Sequence, residues 1–148
     1  MINLDDENTY KIDSGGVFKA LHRFPEMCLE ARENANRVKI PITQYENILL
    51  LGMGGSAIGG LLLRDYLSDT AKHPMIITRD YHAPEFVGPK TLAIATSYSG
   101  NTEENLNALN EALIRGAQAI TLTSGGVLAK ESEKRDTPCL QLTPNQTP

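Results

Sequence analysis

A short segment rich in hydroxyl side chains, Thr96-Ser-Tyr-Ser-Gly-Asn-Thr-Glu103, is the part of the chain best suited to bind an anion. A phosphate monoester held there would meet neutral donors and the positive end of a helix dipole, and would need no lysine or arginine. Taken alone, the segment is also typical of a turn followed by a threonine N-cap. The hydroxyls of Ser97, Ser99 and Thr102 lie within about one turn of the predicted helix start. The backbone amides of Gly100 and Asn101 lie there too.

A glycine-rich segment, Gly52-Met-Gly-Gly-Ser-Ala-Ile-Gly-Gly60, is the second candidate for anion binding. Its glycines let the backbone approach a ligand closely, and the helix predicted after it offers unpaired N–H groups. Close packing of that helix on a sheet explains Gly59 and Gly60 equally well. Because both segments follow neighbouring predicted strands, we expect one phosphate-binding site rather than two unrelated turns.

A dinucleotide site is the main alternative for the glycine-rich segment. Gly52, Gly54 and Ala57 satisfy the Gly-x-Gly-x-x-Ala fingerprint, and Asp80 stands about where a ribose-binding acid would be. A dinucleotide would leave the serine-rich segment without a role, which favours the phosphate site.

Other polar residues have structural explanations at least as good as functional ones. His82 follows the second predicted strand and either faces the site or lies solvated in a loop. Glu103 and Glu104 fall in the first turn of a predicted helix, where carboxylates complement the dipole, so we do not expect either to be a general base. The Ser124-Gly-Gly126 segment is best explained as a tight turn, although it would also help frame a pocket.

Hydrophobic patterning predicts the elements that position these segments. Short apolar runs without polar alternation are typical of strands covered on both faces, and they occupy residues 47–51, 74–78, 91–96, 117–123 and 138–142. Helical spacing and end signals predict helices over residues 16–23, 25–36, 56–69, 102–115 and 127–135. The predicted fold class is α/β, a flavodoxin-like, doubly wound three-layer sandwich around a five-stranded parallel sheet.

Composition narrows the class of protein. The 148 residues are 41% hydrophobic and 22% charged, which is close to the average for a globular domain. A net charge of −4 argues against nucleic acid as a partner, because binding to its phosphates needs a basic patch. Cys28 and Cys139 lack metal-ligand spacing and are predicted to be buried thiols. The acidic residues 1–7 and the lack of an apolar run of ~20 residues predict a cytoplasmic protein without membrane contact.

Four segments together resemble the sugar isomerase (SIS) domain of the bifunctional phosphoglucose/phosphomannose isomerases: residues 51–60, 79–84, 97–104 and 123–126. The resemblance implies an aldose–ketose isomerisation through an enediol, with no metal or organic cofactor. It also implies a sugar-phosphate site, in which the phosphate contacts Ser97, Ser99, Thr102, Gly100 and Asn101, and the sugar contacts Gly54, Gly55 and Ser56.

The resemblance also implies how this chain relates to the complete enzymes. Members of that family contain two SIS domains, draw their glutamate base, histidine and lysine from the second, and are usually cytoplasmic dimers of glycolysis and gluconeogenesis. We therefore expect residues 1–14 to be a polar lead-in and residues 15–148 to be a single SIS domain, with the second domain absent and no catalytic residue of its own. We also expect a homodimer. Turnover by this chain alone is left open, and a noncatalytic module that senses a sugar phosphate is the alternative.

Overall fold

A computed structural model describes residues 13–42 and 44–144. The helices are α1 Val17–His22, α2 Phe24–Arg37, α3 Gly54–Tyr66, α4 Glu103–Ile114 and α5 Gly126–Lys134. The strands are β1 Asn47–Gly52, β2 Met75–Thr78, β3 Thr91–Thr96, β4 Gln118–Thr123 and β5 Cys139–Gln141. Each element predicted from the sequence is present, with ends that shift by a few residues. The lead-in predicted for residues 1–14 falls outside the described residues except for Asp13 and Ser14.

The five strands are parallel and stand in the order β2-β1-β3-β4-β5. From β1 the chain crosses through α3 to β2 on one side, and from β3 it crosses through α4 to β4 on the other. The direction of winding therefore reverses between β1 and β3, and in such sheets a crevice opens there beyond the carboxyl ends of the strands. The predicted α/β fold class is confirmed.

The sheet buries two apolar faces, and each receives its own helices. On one face, alanines of β3 and β4 allow α4 and α5 to pack closely, and Leu49 and Leu128 are 0% and 1% exposed. Burial of a leucine side chain contributes about 1.5–3 kcal/mol, so this face is a main source of stability. On the other face, Gly60 of α3 lies over Leu50, whereas Ile94 and Leu122 are only half-buried.

Helices α1 and α2 lie apart from this core. The Asp13 carboxylate accepts hydrogen bonds from the Val17 and Phe18 N–H groups at 2.9 and 2.8 Å, so it satisfies the first amides of α1. The apolar positions whose spacing predicted these helices stay open, with Leu21 66% and Phe24 61% exposed. The described helices are all too short or too polar to span a membrane.

The prediction of two buried thiols is wrong. Cys28 is exposed and Cys139 is partly buried, and both are free thiols. The physical reason lies in α2, which buries none of its residues because only Met27, Glu30 and neighbouring positions face the β5 edge of the sheet. The apolar spacing along α2 thus predicted the helix correctly, but within the part of the chain that the structure describes no apolar surface buries the apolar side of that helix.

Candidate functional site

The two predicted anion-binding segments meet at the crevice between β1 and β3. Gly52, the last residue of β1, is paired in register with Thr96, the last residue of β3. Neighbouring strands lie about 4.8 Å apart, so the loops that leave them start side by side. The structure therefore brings residues 52–56 and residues 97–102 to one place.

The segment after β1 is built for close approach of the backbone. A Cβ at Gly52 would come within 3.1 Å of the Ser56 carbonyl carbon, so glycine lets the first turn of α3 pack closely against the strand end. Gly54 has a φ of 51°, and its neighbour Gly55 is equally open: a Cβ at either would meet no atom within 4 Å. The N-cap of α3, Met53, makes no side-chain capping bond. The first amides of α3 thus border open space beside the crevice.

The three hydroxyls of the serine-rich segment are not equally open. Ser97 is 1% exposed, its Oγ lies 2.9 Å from Thr102 Oγ1, and it accepts a hydrogen bond from the Gly100 N–H at 3.1 Å. Ser99 is exposed, and its Oγ accepts a hydrogen bond from the Asn101 N–H at 3.3 Å. Ser97 and Thr102 therefore satisfy each other, and Ser99 presents the open hydroxyl.

The amino terminus of α4 carries no side-chain cap. Thr102 is the N-cap and Asn105 is the N3 residue, the two positions that would form a capping box. The Thr102 hydroxyl instead faces Ser97, and Asn105 Nδ2 donates to the Thr96 carbonyl at 2.8 Å. The first amides of α4 therefore remain available to an anion, which the helix dipole also attracts.

Asn105 is a buried polar residue beside the candidate site that the sequence analysis did not single out. It is 3% exposed, and its Oδ1 has no hydrogen-bond partner. A buried acceptor without a partner costs about 1–3 kcal/mol. One signal could have identified it: Asn105 precedes Ala108, Leu109 and Ala112 on the buried stripe of α4, where an apolar residue is expected.

The segment after β4 supports the serine-rich segment through hydrogen bonds. The Val127 N–H donates to Asn101 Oδ1 at 3.1 Å, and the Leu128 N–H donates to the Gly100 carbonyl at 2.9 Å. Asn101 thus uses its side chain to satisfy the first turn of α5. Its side-chain oxygen is therefore engaged within the protein, and its backbone N–H is bonded to Ser99 Oγ.

Glycines lock the same two segments together. A Cβ at Gly100, whose φ is 69°, would overlap the Gly125 carbonyl oxygen and lie 2.8 Å from Thr123 Oγ1. A Cβ at Gly126, whose φ is 71°, would overlap the Ser99 carbonyl oxygen. The Ser124-Gly-Gly126 segment, for which the sequence favours a tight turn over a part of the pocket, therefore packs directly against the serine-rich segment.

Two carboxylates place negative charge at the amino terminus of α4. Glu103 and Glu104 lie in the first turn of α4. The charge of Glu104, followed by desolvation and the charge of Glu103, raises the pKa of the Tyr81 hydroxyl. The same two charges oppose an anion at the amino terminus of α4, although solvent screens the exposed Glu103.

His82 lies away from the crevice. Its Nδ1 is 2.8 Å from Glu111 Oε1, and the Ala83 N–H donates to Glu111 Oε2 at 2.9 Å. Arg115, just after α4, donates to the Ala83 carbonyl at 3.2 Å, so the carboxyl-terminal end of α4 anchors the loop that follows β2. The hydrogen bond to Glu111, followed by the charge of Glu111, raises the pKa of His82. The hydrogen bond to His82 is in turn the largest of the causes that lower the pKa of Glu111. His82 therefore has a structural role in fixing this loop.

Two cavities differ in what they offer a ligand. One of about 300 Å³ adjoins the crevice, where Gly52, Ser56 and Thr96 line it, and continues over apolar side chains beside α3. Another of about 240 Å³ opens between α4 and α5, and its buried hydroxyls, Thr121 and Ser132, lie 2.7 Å apart and bond each other. Of these two, the cavity at the strand ends is the one that adjoins the predicted anion-binding segments, at Ser56 and Thr96.

The residues of the dinucleotide fingerprint have local roles in this fold. Gly52 allows the close helix–strand contact described above, and Ala57 is 2% exposed within α3. Asp80 accepts a hydrogen bond from the Tyr81 N–H at 2.6 Å. Within the described residues, no group of three His, Cys, Asp or Glu side chains is placed to hold a metal ion.

Sequence comparison connects the chain with known enzymes. No family model matches it. It is 42% identical over 120 residues to the bifunctional phosphoglucose/phosphomannose isomerase of Caldicellulosiruptor bescii, a match that covers 80% of this chain and 35% of that protein. It is 49% identical over 86 residues to the protein of the same name from Thermoplasma acidophilum, covering 58% of this chain and 27% of that protein. The chain thus spans about a third of the length of the curated relatives that it matches.

Structure comparison finds the same fold in solved proteins. The Vibrio vulnificus NanR protein complexed with ManNAc-6P aligns with a TM-score of 0.57 and 21% identity, over 91% of this chain and 52% of that chain. The sugar isomerase domain of the RpiR transcription factor from Sphaerobacter thermophilus aligns with a TM-score of 0.57 and 18% identity, over 82% of this chain and 73% of that chain. At these identities the likeness establishes the fold.

Proposed function

We propose that this chain, a sugar isomerase (SIS) domain homologous to part of the bifunctional phosphoglucose/phosphomannose isomerases, binds a hexose phosphate in the crevice between β1 and β3. The observation that carries the proposal is the pair of uncapped helix starts, those of α3 and α4, which adjoin at the ends of paired strands. Two positive helix ends and their free amides suit a phosphate dianion.

The proposed ligand contacts follow the two segments. The phosphate receives hydrogen bonds at the start of α4, from a group of residues that comprises Ser97, Ser99, Gly100, Asn101 and Thr102. The sugar lies toward the start of α3, against Gly54, Gly55 and Ser56. Because Ser97 and Thr102 bond each other, we expect phosphate to displace that bond and accept from both hydroxyls.

Calorimetric titration with glucose 6-phosphate and fructose 6-phosphate tests this site. Ser99→Ala should weaken binding about tenfold or more, because a hydrogen bond to a charged group is worth about 1.5–3 kcal/mol. Thr102→Val should do the same while keeping the side-chain shape. Ser68→Ala is the matched control, since Ser68 is exposed beyond the end of α3. Equal affinity in all four proteins would refute the site.

Turnover is proposed for the complete protein. Isomerisation needs a base that moves a proton between two carbons, and the candidate site offers hydroxyls and amides, with Glu103 and Glu104 in the first turn of α4. We propose that further residues of the full-length protein supply the base, and that this protein interconverts aldose and ketose 6-phosphates in the cytoplasm, in glycolysis and gluconeogenesis. Replacing Ser99 by alanine in the full-length enzyme should raise KM, measured with fructose 6-phosphate in a coupled assay. An unchanged KM would contradict the assignment.

Self-association is proposed on the basis of the apolar surface of α3. Ile58, Leu62 and Tyr66 are 54%, 66% and 85% exposed and recur every four residues along one side of the helix. An exposed apolar stripe of this kind marks an interaction surface, and the proposed state is a homodimer. Sedimentation velocity should show a dimer that Leu62→Glu converts to monomer, whereas Lys130→Glu, on the exposed surface of α5, should leave it intact. A monomer at high concentration for the unmodified chain would contradict the proposal.

A noncatalytic sensor is the second candidate function. It is favoured by the structural likeness to the sugar isomerase domain of a transcription factor. The discriminating observation is the nucleotide sequence beyond the codon for Pro148. An in-frame continuation that encodes a second SIS domain supports the enzyme, and a stop codon supports the sensor.

A further inference from the structure

The unpartnered oxygen of Asn105 is buried at the end of β3, and backbone direction shows on which side of that strand its amide lies. The Lys90 carbonyl accepts hydrogen bonds from the Glu46 and Asn47 N–H groups at the start of β1, so it points toward β1. Carbonyls an even number of residues apart along a strand point the same way, so the Thr96 carbonyl also faces β1. Ser97, the next residue, donates its N–H to Leu122 of β4, as this alternation requires.

This direction fixes where the Asn105 amide stands. Because Nδ2 is 2.8 Å from the Thr96 carbonyl, the amide group sits on the β1 side of β3, at the floor of the gap from which both ligand-binding segments rise. Oδ1 belongs to the same amide and is buried without a partner. Among the described residues, the other such oxygen is Asn47 Oδ1, at the opposite end of β1.

The neighbouring hydroxyl pair covers this floor. Thr102 and Asn105 are three residues apart, so they stand one above the other across the first turn of α4. The Thr102 hydroxyl is held by Ser97 in the arrangement described above. A ligand can reach the buried amide only if a bound phosphate draws both hydroxyls to itself and breaks that pair.

We propose that Asn105 is a specificity-determining residue: its Oδ1 accepts a hydrogen bond from a hydroxyl of the bound sugar, directly or through one ordered water. A buried polar atom that stays unpaired is rare in native proteins, and a ligand donor accounts for this one. The inference rests on the proposed function and adds to it a contact that inorganic phosphate lacks. The recognised chemistry is therefore a hydroxyl-bearing phosphate ester rather than phosphate alone.

The test measures the ratio of two affinities in each of four proteins. Glucose 6-phosphate and inorganic phosphate are titrated into the unmodified chain and into Asn105→Leu, Asn105→Asp and Asn107→Leu. Leucine removes the donor to the Thr96 carbonyl together with the proposed acceptor, whereas aspartate keeps an acceptor and loses only the donor to Thr96. Asn107→Leu is the matched control, because that side chain donates to the Tyr81 carbonyl outside the crevice.

The affinity for glucose 6-phosphate divided by that for inorganic phosphate should fall about tenfold in Asn105→Leu, which is the effect of losing one neutral hydrogen bond. The ratio should be retained in Asn105→Asp, since added negative charge weakens both ligands alike, and in the control. An unchanged ratio in Asn105→Leu, or an equal fall in the leucine and aspartate variants, would assign Asn105 to shaping the strand end only. Thermal melts verify folding, and Asn105→Ala replaces the leucine variant if it does not fold. Failure of the unmodified chain to bind either ligand would instead refute the proposed function.

Discussion

Replacing Gly100 by alanine should separate the two segments that form the wall of the candidate phosphate site. The new methyl group would overlap the Gly125 carbonyl oxygen, a backbone atom that cannot rotate away as a side chain would. Gly100 also has a φ of 69°, in the left-handed region that costs an alanine roughly 1–2 kcal/mol. Relief of the overlap by backbone shifts adds roughly 1–3 kcal/mol. We therefore expect a loss of about 3 kcal/mol, a large part of the stability of an ordinary domain.

Urea unfolding followed by circular dichroism measures this loss. The matched control is Gly59→Ala in α3, where a Cβ would meet no atom within 4 Å and the residue is helical. Alanine there should stabilise the chain by about 0.5–1 kcal/mol, because glycine is the poorer helix former. If Gly100→Ala unfolds within about 0.5 kcal/mol of the unmodified chain, the two segments are not locked together as described.

Two further predictions concern groups outside the crevice. His82 has a raised pKa, so its contact with Glu111 stabilises the fold at low pH, and this stabilisation is lost as pH rises through the folded-state pKa of His82, above 6.5. Glu111 has a lowered pKa, so the stabilisation that its charge contributes is lost only as pH falls through a value below 4.5. The difference in unfolding free energy between the unmodified chain and His82→Gln should therefore be larger at about pH 5.5 than at about pH 8.5, and a difference independent of pH would contradict this. Thr121→Val should destabilise the fold by about 0.5–1.5 kcal/mol, because it removes the 2.7 Å bond to Ser132 Oγ, while the Ser132 hydroxyl keeps its own bond to the Leu128 carbonyl. In urea unfolding the double variant with Ser132→Ala should lose less than the sum of the two single losses; strict additivity would argue against the bond between Thr121 and Ser132.

The fold could be predicted from the sequence because each strand is a short apolar run bounded by glycine, proline or polar residues. β3 begins and ends where its pattern predicts, at Thr91 and Thr96. α3 begins earlier than predicted, at Gly54, because its glycines enter the helix instead of remaining in the loop. The exposure of α1 and α2 was not predictable in this way, since spacing shows which side of a helix is apolar but not whether a surface exists to cover it.

The candidate site could be located from the sequence, but the direction of its side chains could not. Hydroxyls and glycines after two neighbouring strands were enough to predict the crevice. The inward turn of Ser97 and the use of Asn101 by α5 depend on partners in other segments, Thr102 and Val127, and no local pattern reports such pairings. Asn105 was overlooked because polar residues inside a helix are ordinarily solvated, and its place on the buried stripe becomes evident only once the helix is packed.

The absence of room for a single methyl group at Gly100 or Gly126 bears on how ligand preference in this fold can be altered. Directed evolution that varies Gly100 or Gly126 should return mostly unfolded variants, since a Cβ at either position overlaps a backbone carbonyl oxygen of the other loop. The start of α3 has open space for a side chain at Gly55. A library built to change which sugar is accepted should accordingly place its diversity at that position and leave Gly100 and Gly126 unchanged.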